Sequence, residues 1–165
     1  MKKVKKEDNY TSAYFMNYKT TLLLLFLTLQ VVAQTEKDNI AMVVSKSNIG
    51  KTYTFGECDG KTKNETQLTN LGNVKTKKGI VYKVITSVWT WGMSCRSTHR
   101  ILIFNTKNQY VGNYYILDYC SLPTQLQNGF LIVHQTNDTE CGKKTQQINL
   151  NNGLPKSIFG MEFQE

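Results

Sequence analysis

GIVYKVITSVWTW, residues Gly79 to Trp91, is the most strand-like stretch of the chain: dense in β-branched and aromatic side chains, with no proline and no internal glycine. Side chains alternate between the two faces of a strand. One face therefore carries Val81, Lys83, Ile85, Ser87, Trp89 and Trp91, and the other carries Ile80, Tyr82, Val84, Thr86, Val88 and Thr90. The second set is the more uniformly apolar, which predicts that it meets the core and leaves both tryptophans nearer the surface. The competing expectation is that Trp89 covers a second, minor core, because a strand this apolar suits a sheet covered on both faces.

Short strands separated by turn signals continue on either side. Lys51–Cys58 (KTYTFGEC) alternates Tyr53 and Phe55 with polar residues. Arg100–Phe104 (RILIF) is apolar on both faces, Asn105–Asn108 (NTKN) has turn chemistry, and Gln109–Tyr119 forms the return strand of a hairpin. Gly112, inside that return strand, marks a bulge or the close approach of another backbone. Phe130–Gln135, Gln146–Leu150 and Ser157–Phe163 complete the set. Asp59–Gly79 is rich in Lys, Asn, Thr and Gly and reads as a long loop with at most one short strand. Ile40, Met42, Val43 and Val44 fit either a short helix or a first strand. The whole predicts an all-β domain: a small antiparallel sandwich or barrel with an up-and-down meander.

The start of the chain breaks this pattern. Leu22–Leu29 (LLLLFLTL) followed by Val31-Val32-Ala33 is an apolar run of roughly ten residues, short of the ~20 that a membrane-spanning helix needs. With small residues at Val31 and Ala33 it reads as an export signal, cleaved to leave Gln34 as the mature N-terminus. Met16 gives a more compact signal than Met1 and is a candidate true start. Residues 1–33 are thus an expected signal and 34–165 a single mature β-domain, with no stable membrane span after cleavage and a secreted or periplasmic destination. Hydrophobic residues make up 40% of the chain and charged ones 19%, which excludes a disordered polyelectrolyte and a multi-span membrane protein. Residues 1–33 hold five Lys and two acids, so the mature part keeps 15 basic and 10 acidic residues. Thr66–Leu117 contains seven basic residues and no acid; these charges are scattered, which favours a solvated surface over a dedicated anion site.

Four cysteines in an exported domain mean two disulfides. If strand 80–91 follows directly from a connection holding Cys58, an up-and-down meander places Cys58 and Cys141 at one end and Cys95 and Cys120 at the other. That predicts Cys58–Cys141 and Cys95–Cys120. The rival chemistry is zinc or a thiolate nucleophile built from Cys95 with His99 and Cys141 with His134. No tight Cys-x2–4-Cys pair supports it, and a paired cysteine can neither ligate nor attack.

Catalytic grammar is otherwise missing: Gly92-Met93-Ser94-Cys95-Arg96 lacks the last glycine of a nucleophile elbow, and there is no Walker loop, dinucleotide fingerprint or HExxH. No spacing singles out a carboxylate pair, and no cofactor or metal site is expected. The expected function is that of an exported, non-catalytic β-domain binding another exported protein, as an inhibitor or immunity-type module. Trp89 and Trp91, with Lys83 on the same face and Tyr115 nearby, are the expected contact residues. The alternative is a carbohydrate- or small-ligand-binding module using the two tryptophans; a Cys/His hydrolase is a lesser one. Nucleic acid is not an expected partner, since an exported protein rarely meets it.

Overall fold

The strands around Gly79–Trp91 pair in the order in which the chain meets them. In a computed structural model, which describes residues 36–45, 48–134 (His134 by its backbone alone), 141 and 145–165, five strands form one antiparallel sheet. They are β1 (Thr52–Gly56), β2 (Glu65–Lys75), β3 (Val81–Trp91), β4 (Arg96–Asn105) and β5 (Tyr110–Ile116). β6 (Gln125–Gln127), β7 (Phe130–His134) and β8 (Thr145–Asn149) make a second, three-stranded sheet, and β9 (Ser157–Ile158) with β10 (Met161–Glu162) a short hairpin. The fold is all-β and antiparallel, as the periodicity predicts, with two disulfides and, among the described residues, one short α-helix, α1 (36–45), and a 3-10 turn at Tyr119–Ser121. Ile40–Glu165 is one compact unit; of the other, Met1–Asn39, only residues 36–39 at the start of α1 are described, so the expected signal and its cleavage point lie outside the described residues.

Both faces of the five-stranded sheet are covered, and the strand register shows how. On one face Leu71, Val74, Val84, Ile101, Ile103 and Tyr114 join Leu131, Leu150 and Ile158 from the second sheet and its flanks in the main core. On the other, Leu68, Ile85, Leu102 and Phe104 pack with Val43 and Val44 of α1. Burying that apolar stripe is what makes 36–45 a helix, since Ile40, Val43 and Val44 share a face only at helical spacing. Lys83 secures this cover: its ammonium donates to the Val44 carbonyl at 3.0 Å and to Asn108 Oδ1 at 2.6 Å.

Gly112 fulfils both expectations placed on it. The β4–β5 register shifts beside it, between Ile103 and Phe104, so a bulge is present. A side chain there would also run into the Phe163 ring and the Gln164 carbonyl. The absent Cβ lets the C-terminal segment pair with β5, where the amides of Asn113 and Gln164 donate to each other's carbonyls at 2.8 and 2.9 Å.

Two expectations are corrected. Asp59–Gly79 is no long loop: its middle is β2, an eleven-residue strand paired along nearly its whole length with β3. Leu68, Leu71 and Val74 are its core anchors, and the polar residues between them sit on a strand paired with β3 along most of its length and with β1 over Glu65–Thr69. The disulfides are Cys58–Cys95 and Cys120–Cys141, not Cys58–Cys141 and Cys95–Cys120. One overlooked strand is the reason. Inserting β2 into the meander reverses the end at which Cys58 lies: Gly56 pairs with Glu65 and Glu65 with Thr90, so the 57–64 loop sits beside the β3–β4 turn that carries Cys95. The up-and-down order itself stands.

Candidate functional site

The far end of β3 carries the aromatic pair. Trp89 and Trp91, two residues apart on one face, stack with ring centroids 5.6 Å apart and planes 25° from parallel. Across the ladder they oppose Thr98 and Arg96, and the Trp91 indole N–H donates to Thr98 Oγ1 at 3.4 Å. Trp89 is half-buried; Trp91 is 38% exposed. The face that bears them is a core at the α1 end, around Ile85, and an aromatic surface at the other; a second core exists on this face, but Trp89 is not the residue that covers it.

Gly92–Cys95, the β3–β4 turn, extends this surface. Met93 at its tip is 82% exposed, and a shallow groove runs over Trp91, Gly92, Met93, Ser94 and Arg96. The turn is held from two sides. The Cys95 amide donates to the Gly92 carbonyl at 3.1 Å, and Cys95 is bonded to Cys58 in the neighbouring loop. That loop is shaped in turn by Asp59, whose Oδ1 accepts from the amides of Lys61, Thr62 and Lys63 at 2.9 to 3.0 Å; these bonds hold its carboxyl below the usual carboxylate range. Gly60 lies close against the Met93 carbonyl. The exposed aromatic and thioether groups thus stand on a covalently braced hairpin end.

The structure separates some residues that share a face. Lys83 lies eight residues from Trp91 along β3, roughly 26 Å away at ~3.3 Å per residue, and is engaged with Val44 and Asn108. It does not join the tryptophans. Tyr115 is half-buried on the same face two strands over, paired with Arg100, which pairs with Ser87. Sequence reasoning missed Met93 and Arg96; the signal was present in the turn that follows Trp91, read only as a failed nucleophile elbow. The acid-free charge run also divides in space. Lys75, Lys77, Lys78 and Lys107 fall at the α1 end and Arg96 at the tryptophan end, where Glu57 and Asp59 come in from the loop before β2.

The cysteines offer no thiolate, since all four are paired. His99 is nine-tenths buried on the main-core face, its ring 5.6 Å from that of Tyr119. Burial pushes its pKa down, opposed by a hydrogen bond with the Ile116 backbone and by the charge of Asp118. Among the described residues no three His, Cys, Asp or Glu side chains converge in a way that could hold a metal ion. No protein-family model, no curated protein and no solved structure matches the chain.

Proposed function

We propose that the protein is an exported, non-catalytic binding module that recognises another exported protein through the Trp89–Trp91–Met93–Arg96 end of the sheet. The observation that carries this reading is the stacked tryptophan pair continued by an exposed methionine on a turn tied down by the Cys58–Cys95 disulfide. Aromatic, Met and Arg side chains are enriched in protein interfaces, and anchors already fixed before binding lose little conformational entropy on association. The surface is a shallow groove with a rim of mixed charge, which suits a protein more than a small molecule enclosed on several sides. Two disulfides fit an oxidising compartment, and the apolar run ahead of Ala33 supports export to the periplasm or beyond.

Affinity capture tests the reading. The tagged protein, isolated from its own host's secreted fraction, should retain a discrete protein partner at near-stoichiometric yield. Trp91→Ala combined with Met93→Ser should lose at least nine-tenths of that capture while the folded amide spectrum is retained, because Met93 is exposed and Trp91 lies at the end of the strand outside both cores. Undiminished capture by this variant would remove the tryptophan end from the interface.

A further inference from the structure

The main-core face of the sheet should be apolar throughout, and at one corner it is not. The register aligns Thr52 with Thr69 and Thr69 with Thr86, giving a row of threonines across β1, β2 and β3 that continues as Ile101 and Tyr114 on β4 and β5. Gln67 stands on the same face, two residues from Thr69. Apolar residues fill this face around Val84, Ile101 and Ile103, where the second sheet covers it. Polar residues at core-facing positions oppose the folding pattern, and such departures gather at functional sites.

Above this corner lies a partly enclosed cleft of about 280 Å³. Its roof is the segment after β5, with Tyr119, Thr124 and the Cys120–Cys141 disulfide. No charged side chain is among the described residues that line it. Hydroxyls come from Thr52, Thr69, Thr86, Thr124 and Tyr119 and a carboxamide from Gln67, with Val88, Leu122 and Pro123 as apolar surface between them. The wall is braced. Asp118 accepts from the Cys120 amide at 3.0 Å, the Thr124 amide donates to Ile132, and the Tyr119 ring rests against His99 while remaining 63% exposed.

We infer that this cleft is a binding site for a neutral pyranose ring, separate from the tryptophan surface on the opposite face of the sheet. A ring of that kind presents many hydroxyls, each able to donate and accept, to hydroxyl and amide partners with the same versatility. Its C–H face can lie on an aromatic ring or on Val88, and it carries no charge to leave unpaired against the uncharged side chains among the described lining residues. The volume, just below the ~300–1,000 Å³ usual for small-molecule sites, limits the occupant to one ring. That ring is either a free monosaccharide or the last residue of a glycan.

The test uses the oxidised, 15N-labelled full chain, titrated to millimolar concentrations with D-glucose, D-galactose and N-acetyl-D-glucosamine, each also as its methyl glycoside. At least one should shift the amide resonances of Gly50, Thr69, Thr86 and Thr124 saturably. Preference for the methyl glycoside would assign the site to a glycan end, and preference for the reducing sugar to a free monosaccharide. Thr86→Val, or Thr124→Val should the first variant fold poorly, should weaken binding at least tenfold, while Trp91→Ala leaves it unchanged. The inference is overturned if no sugar gives saturable shifts, if the shifts centre on Trp89–Arg96, if the threonine variants bind like the parent, or if glucuronate binds as tightly as glucose.

Discussion

Gly112 and His99 show how much of this fold turns on single positions. At Gly112 the missing side chain admits the Phe163 ring and the Gln164 carbonyl. Gly112→Ala should therefore cost about 1–3 kcal/mol, the usual penalty of forcing extra atoms into a filled site, and the loss should concentrate at the C-terminal segment. Thermal melts check the size; amide exchange checks the place, since protection at Asn113 and Gln164 should fall before protection within β3 and β4. His99 carries a pH dependence. Its folded pKa lies below the unfolded value, so the unfolded chain binds more protons as the solution acidifies. The neutral ring's contribution is fully present above about pH 6.5 and is lost as pH falls towards and through the lowered folded pKa. The thermal midpoint should thus drop more between pH 7.5 and 5 in the parent than in His99→Gln. Equal slopes would show that His99 is not the group responsible.

At the scale of elements, the disulfides tie specific connections together, and reading them from sequence needed a correct strand count. Cys58–Cys95 joins the loop before β2 to the β3–β4 turn, and Cys120–Cys141 joins the turn after β5 to the β7–β8 connection. They span 37 and 21 residues; loops of that size correspond to about 3–4 kcal/mol each in the chain-entropy model. Cys58→Ser with Cys95→Ser, and Cys120→Ser with Cys141→Ser, should each lower stability by about that amount in denaturant unfolding. Non-reducing peptide mapping of the parent should recover only these two linked pairs; Cys58 joined to Cys141 would contradict the meander as built. β3 and the β4–β5 hairpin were legible because their apolar and β-branched residues run uninterrupted. β2 was not, because Asn70, Gly72 and Asn73 interrupt it. Asn70 is buried, its Oδ1 accepting from the Gly72 amide at a register shift, so a residue pair that signals a loop in sequence is here the device of a bulge. α1 stayed ambiguous for a different reason: four apolar residues in five satisfy either period, and only the presence of a sheet face to cover decides between them.

Across the whole molecule, the two ends of the five-stranded sheet differ in chemistry. Lysines from the β2–β3 and β4–β5 turns gather at the end that α1 covers, and the opposite end combines Trp89, Trp91, Met93 and Arg96 on a braced hairpin. Strand periodicity alone put the two tryptophans on one face. It could not foresee that Lys83 would be committed to α1, because its partners Val44 and Asn108 are 39 and 25 residues away in sequence. The proposed division of labour places protein recognition at the tryptophan end and leaves the lysine end to solvent. A photo-crosslinking amino acid tests this most directly when placed at position 93 in the protein produced by its own host. Position 80 serves as the control, since Ile80 is 48% exposed and lies at the lysine end. Irradiation should give one discrete higher-mass adduct from position 93 and none from position 80. A chain that forms no adduct at 93, or the same adduct at both positions, would contradict the assignment of the tryptophan end as the recognition surface.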